Sequence, residues 1–263
     1  MDGRSRSPRP TGARSSGQHF IRSDVVADEL VRAAGVCSTD HVLEIGAGTG
    51  RLTRPLVGRA ARVTAVELDG DLAKQLERAF AGRPTVRIVH GDILNVQMPE
   101  GSWRAFGNVP FALTTSILRH LLDNPVDGPE RADLLLQFEA ARKRASPDRH
   151  TLLSLGWLPW WELSLTRRIP RLAFEPPPSV DGGMLTVIRR RSPLLDPADR
   201  DAFVAMLRRA FQHGGWPVRR SLGPALPPRS WKRLARDRGL VFNVSPTSLD
   251  VWDWLAVFSL IRP

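Results

Sequence analysis

Residues 41–50 read His-Val-Leu-Glu-Ile-Gly-Ala-Gly-Thr-Gly, a short apolar run that breaks into glycines at every second position. The run HVLEI suits a strand, and RLTRPLVGRA (51–60) suits the helix that follows it. Gly46, Gly48 and Gly50 let the backbone pass close beneath a ligand and turn its amides toward it. The spacing is G-x-G-x-G, because Arg51 stands where a dinucleotide fingerprint places its third glycine. Methyl-donor sites commonly carry the former spacing, and Gly46 and Gly48 are the expected donor contacts.

Working outward, strand and helix patterns alternate. VTAVEL (63–68), VRIVH (86–90), WRAFGN (103–108) and DLLLQFE (133–139) read as strands. Residues 24–35, 71–80 and 112–122 have helical spacing, with Asp24 as an N-cap and Gly35 past a C-terminus. Alternation of this kind requires crossover connections, hence a mainly parallel α/β sheet covered on both faces, a Rossmann-like fold. A proline-rich stretch, RIPRLAFEPPPSVDGG (168–183), precedes one more strand, MLTVIRRR (184–191), and helices at 198–212, 228–239 and 248–261. The expected organisation is a disordered basic arm over 1–16, carrying Arg4, Arg6, Arg9 and Arg14, then a Rossmann-like domain over 17–192, then a small α-helical RNA-binding domain over 193–263.

Three further signals follow three further strands. Glu67 closes the second strand, where a carboxylate can accept both hydroxyls of a ribose. Its neighbour Asp69 reads as a helix cap. Asp92, after the third strand, can accept from an adenine amino group. After the fourth strand comes Asn108-Val109-Pro110-Phe111. The Asn108 amide oxygen and the Val109 carbonyl can both accept from an exocyclic amine, with Pro110 fixing the turn between them. Phe111 offers a face on which an adenine can stack. A paired base cannot reach such a site, so the base must be single-stranded or flipped out. An adenine, a ribose diol and a cationic sulfonium together suit S-adenosylmethionine as the cofactor.

The 263 residues carry a net charge of +11, almost all of the cations being arginine. From Arg189 onward there are 14 basic and 6 acidic residues, against 24 and 21 before it. An excess concentrated in one lobe fits a polyanionic partner. Candidate RNA contacts are Arg119, Arg142, Arg144, Arg167, Arg168 and Arg189–Arg191. Trp157, Trp160, Trp161, Trp252 and Trp254 read mostly as packing residues. Cys37, the lone cysteine, excludes a disulfide scaffold and a cysteine-based zinc site, and reads as a small buried hydrophobe. No run of eighteen apolar residues occurs and no secretory signal is present, so the expectation is a cytoplasmic monomer that uses neither membrane nor metal.

Gly17-Gln18-His19-Phe20, EIGAGTG, VELD (66–69), GDIL (91–94), FGNVPF (106–111) and FEPPPSVDGGML (174–185) together resemble the ribosomal RNA adenine N6-methyltransferases, the family of the Erm macrolide-resistance enzymes and the KsgA enzymes. FGNVPF is closer to the Erm branch, since KsgA-like enzymes usually read N-L-P-Y there. The resemblance implies methylation of one adenine in 23S rRNA, with resistance to macrolide-type antibiotics. It also implies that His19, Ile21, Gly46, Glu67, Asp92 and Asn108 contact the methyl donor, while Asn108 and Phe111 hold the target adenine. Two residues depart from the pattern: His19 stands where the family usually has asparagine, and Phe111 where it often has tyrosine. The alternatives are a KsgA-like small-subunit rRNA dimethyltransferase and a non-catalytic RNA-binding or assembly factor on the same scaffold.

Overall fold

Alternating and continuous apolar runs settle into strands wherever both faces find a covering layer, and the chain does so seven times in one sheet. The computed structural model describes residues 19–147 and 150–262. The basic arm over 1–16 and the Gly17-Gln18 pair lie outside the described residues. The strands are β1 (Phe20–Ile21), β2 (His41–Ile45), β3 (Arg62–Glu67), β4 (Val86–His90), β5 (Arg104–Asn108), β6 (Arg131–Gln137), β7 (Trp161–Ile169), β8 (Phe174–Glu175) and β9 (Gly182–Arg189). The helices of the first part are α1 (Asp24–Ala33), α2 (Thr53–Val57), α3 (Gly70–Ala79), α4 (Thr114–Leu122), α5 (Phe138–Arg144) and α6 (Leu152–Leu155). Those of the last part are α7 (Arg200–Phe211), α8 (Val218–Leu222), α9 (Pro228–Asp237) and α10 (Val251–Ile261).

The large sheet runs β4-β3-β2-β5-β6-β9-β7. Its first five strands are parallel, and β9 and β7 are antiparallel to their neighbours. Strand order reverses between β2 and β5, the switch point outside which open α/β sheets bind their ligands. At that junction Ile45 pairs with Gly107. Any side chain at Gly107 would run into the Ile45 backbone, so only glycine lets the two strands lie this close. A separate two-stranded sheet pairs β1 with β8 and ties the start of the described chain to the proline-rich stretch.

Successive residues of a strand face opposite sides, and the core divides accordingly. Val42, Leu52, Leu56 and Leu30 belong to the layer under α1, α2 and α3. Leu43, Ile45, Ile117 and Leu121 belong to the other layer, which continues without a break through Trp157, Trp160 and Trp161 into Phe203, Trp231, Trp254 and Phe258 of the C-terminal helices.

Several boundaries differ from the sequence reading. The strand expected over 133–139 ends at Gln137, and Phe138 opens α5, its amide donating to the Asp181 carbonyl at 2.9 Å. The unbroken apolar run hides where extended backbone stops. The helix expected over 51–60 is only Thr53–Val57, closed by Gly58. β7 escaped the sequence reading because Arg167 and Arg168 interrupt its apolar alternation, and a bulge falls between Leu165 and Arg167. The N-cap of α1 is Ser23, whose hydroxyl accepts from Val25 N, rather than Asp24. Gly35, with φ +64°, does stand past the helix end. Cys37 is exposed rather than buried, because it sits in the α1–β2 turn with its thiol 3.2 Å from the Thr39 hydroxyl.

Candidate active site

The C-terminal ends of β2, β3, β4 and β5 open into one cleft. Gly46 and Gly48 take φ of +67° and +56°, conformations that disfavour any side chain. Above Gly48 there is no room for one either, because the Phe20 ring of β1 covers it. The amides of Gly46 and Ala47 both donate to the Val66 carbonyl at 3.0 Å, which fastens the glycine loop to β3.

Glu67 is held from two sides. Its Oε2 accepts from Gly48 N at 2.7 Å and its Oε1 from Asp69 N at 2.9 Å. The side chain is 4% exposed and lies at the cleft wall. A carboxylate has about four acceptor sites, so two amides leave capacity for a diol. Asp69 caps α3, accepting from Asp71 N and Leu72 N. Asp92 accepts from Leu94 N at 3.0 Å, which fixes its backbone turn at the cleft edge.

Across the switch point, Asn108 donates its amide N–H to the His19 carbonyl. That leaves its oxygen for an acceptor's role. Val109 N donates to the Leu135 carbonyl at 3.1 Å, so the turn into Pro110 is anchored on β6. His19 donates Nδ1–H to the Pro176 carbonyl at 2.7 Å. The His19 ring leans on Phe111, centroids 5.7 Å apart at 39°.

The cleft therefore gathers His19, Gly46, Glu67, Asp92, Asn108 and Phe111. Ile21 stands outside its lining; it is 3% exposed and packed in the layer beneath α1. Gly48 touches the cleft only through the hydrogen bond that positions Glu67. Lining residues without a role in the sequence reading include Phe20, Leu68 and Ile93. Leu68 carries the legible signal. It is an apolar residue 62% exposed directly after a buried strand end, a position with no use in packing. Glu44, inside the glycine motif itself, is fully buried, and neither carboxylate oxygen has a hydrogen-bond partner among the described residues. Burial pushes its carboxyl up to about 8; the Thr53 hydroxyl acts in the opposite direction and the Glu67 charge in the same one.

The candidate RNA cations sort by partner. Arg142 pairs with Glu139, Arg167 with Glu29, Arg168 with Asp181 and Arg190 with Glu162. Arg189 donates to the carbonyls of Pro125 and Val126. Arg119, Arg144 and Arg191 have no carboxylate partner among the described residues. Arg144 is held instead by the hydroxyls of Thr115 and Thr151, each at 3.4 Å. Among the described residues no cluster of three metal-ligating side chains occurs, and no helix is long and apolar enough to cross a membrane.

A cleft at the switch point of a doubly covered parallel sheet, floored by a G-x-G-x-G turn, is that of the Rossmann-like methyltransferases. The family model for ribosomal RNA adenine dimethylases matches residues 11–262, and the chain belongs to that family. It is 34% identical to the mycinamicin-resistance protein MyrB of Micromonospora griseorubida, over 97% of this chain and 81% of that one. It is 33% identical to the ribosomal RNA small subunit methyltransferase A of a Synechococcus strain, over 94% of this chain and 95% of that one. Among solved structures, the 23S rRNA methyltransferase ErmE superposes with a TM-score of 0.82 at 28% identity, covering 93% of this chain and all of that one.

Proposed function

We propose that this chain transfers a methyl group from S-adenosylmethionine to the N6 nitrogen of one adenine in 23S rRNA, and that expression of the chain confers resistance to macrolide-type antibiotics. The observation that carries the reading is the sharing of one cleft by the glycine turn, Glu67 and the Asn108–Phe111 turn. The likeness to ErmE and to a mycinamicin-resistance protein supports the 23S target over the small subunit.

The residues fit the donor. Gly46 lines the cleft without a side chain, while the amides of Gly46, Ala47 and Gly48 are spent on the Val66 carbonyl and Glu67 rather than turned to the ligand as the sequence reading expected. Glu67 suits a ribose diol, Leu68 and Ile93 suit the faces of an adenine, and Asp92 suits its amino group. When bound, S-adenosylmethionine supplies a methyl group on a cationic sulfur. The adenine amino nitrogen is a poor nucleophile, because its lone pair is delocalised into the ring. Asn108 Oδ1 and the Val109 carbonyl accept its two N–H protons and favour a pyramidal nitrogen. Phe111 holds the flipped ring by stacking, an interaction worth ~1–3 kcal/mol per base. Alignment at near-attack distance supplies much of the remaining acceleration.

Primer extension on 23S rRNA from cells expressing the chain tests the reading. Two added methyls give a single new stop at an adenine, and one added methyl gives N6-methyladenosine in a nuclease digest of the same RNA. No stop on 23S rRNA, with methylation of small-subunit particles instead, would move the chain to the KsgA-like activity. Failure of the purified protein to bind S-adenosylmethionine by isothermal titration would leave only an RNA-binding scaffold.

A further inference from the structure

Residues 202–236 contain eight cations and no acidic residue. They form most of α7, all of α8 and most of α9. At their centre, between α7 and α8, the sequence Gln-His-Gly-Gly-Trp-Pro (212–217) makes a tight turn, with Trp216 N donating to the His213 carbonyl at 3.1 Å and Gly215 at φ +85°. That turn brings the His213 ring to 4.4 Å from the Trp216 ring, centroid to centroid, at 32°. The Arg220 guanidinium lies 3.8 Å from the same ring. His213 and Arg220 are exposed and Trp216 is half-buried. None of Arg208, Arg209, Arg219 and Arg220 is paired with a carboxylate among the described residues, whereas Arg233 and Arg236 on α9 both pair with Asp237.

The helix that leads into the corner packs beside α4. Arg200, at the start of α7, bridges to Asp123 at the end of α4. Two turns further along α7, Arg208 lines a groove with Arg119, which is one turn earlier on α4. The two helices are therefore antiparallel, and α7 ends toward the side where α4 begins, directly after Phe111.

The tryptophans nearer the sheet do not compete for this role. Trp157, Trp160, Trp161 and Trp254 are at most 2% exposed. An exposed aromatic–guanidinium stack with unpaired cations around it suits a nucleic-acid strand, since a base extends the stack and the phosphates meet the arginines. We propose that the α7–α8 corner is a second RNA-contact site, which stacks one unpaired base on the His213–Trp216–Arg220 ledge and so holds the RNA that delivers its adenine to the cleft. The inference rests on the RNA substrate proposed above.

The test uses the full chain with protein-free 23S rRNA, an RNA hairpin with a purine loop and a blunt RNA duplex. Trp216→Ala and Arg220→Ala each weaken hairpin binding about 5- to 100-fold and raise KM for 23S rRNA, while kcat at saturating RNA and affinity for S-adenosylmethionine stay at the wild-type level. Trp216→Phe retains most of the binding. Loss of Arg220 also lowers the slope of log affinity against log salt by about one. Arg233→Ala, which removes a charge already paired, leaves binding unchanged. Wild-type binding by a folded Arg220→Ala protein overturns the proposal, as does an equal loss for hairpin and duplex, which would make the corner a general cationic patch. If wild-type protein fails to methylate 23S rRNA, the proposed reaction is wrong, and the corner still stands or falls on hairpin binding.

Discussion

Asn108 carries two duties through one amide. Its N–H group fastens the backbone of His19 at the cleft, and its oxygen is the acceptor that we propose for the adenine amine. Removing an oriented polar group of this kind costs about 100-fold or more in turnover. Asn108→Ala is expected to stay folded, by circular dichroism, and to lose methyl transfer in a single-turnover assay. Phe111 separates from it in kind, because its proposed role is to stack on the target base rather than to hold the donor. Phe111→Ala should raise KM for RNA about tenfold with the affinity for S-adenosylmethionine unchanged by calorimetry. An equal loss of donor affinity would place the ring on the donor instead. Glu44 gives a third residue-scale expectation. Its folded carboxyl titrates at about 8 against an ordinary value of 4.5. Between those values the folded chain keeps a proton that the unfolded chain has released, so stability falls as pH rises through that window and levels off above it. Glu44→Gln keeps the shape and the neutral state. In urea melts it should match the wild type near the lower end of the window and exceed it at the upper end.

At the scale of elements, the switch point depends on how closely β2 and β5 approach. Gly107 faces the Ile45 backbone with no space for a methyl group. Gly107→Ala must push the strands apart where the glycine turn and the asparagine turn meet. Overpacking of this sort costs about 1–3 kcal/mol, which lowers the melting temperature by roughly 2–12 °C for a chain of this size. Transfer should fall further than stability does, because both halves of the cleft shift. These central elements were legible in the sequence. HVLEI is β2 residue for residue, and FGNVPF lies where β5 ends. The reason is that buried parallel strands read as apolar runs bounded by glycine or acid. The elements that escaped were those whose partners are distant in sequence. β7 takes its place from β9, and β1 from β8, so neither has a local signature. The charged surface was the least legible part. A run such as Arg189–Arg191 reads as free cation, and only the fold reveals that Arg189 and Arg190 are already bound within the protein.

Over the whole molecule, the question is whether the C-terminal helices are an appendage or part of the core. The sequence suggests a boundary near residue 193, where proline and charge interrupt the pattern. The packing is continuous across it. Trp160 meets Phe203 edge-on with centroids 6.3 Å apart, and Phe203 meets Phe258 at 5.5 Å. The Trp160 indole N–H donates to the Leu195 carbonyl at 2.8 Å. Arg200 joins α7 to the end of α4 through Asp123, which also accepts from the Trp157 indole at 2.8 Å. Ending the chain at residue 192 would strip Phe203, Leu207, Trp254 and Phe258 from the face of the sheet and uncover Trp157 and Trp160, both now 2% exposed. Burying an aromatic side chain contributes on the order of 2–3 kcal/mol, and several would be exposed together in a contiguous patch of the kind that drives association. The truncated chain is therefore expected to aggregate, or to melt well below the full-length protein, in size-exclusion and thermal scans. A soluble, cooperatively melting fragment that still binds S-adenosylmethionine would show instead that the sheet folds alone, and that the helices are carried only for RNA.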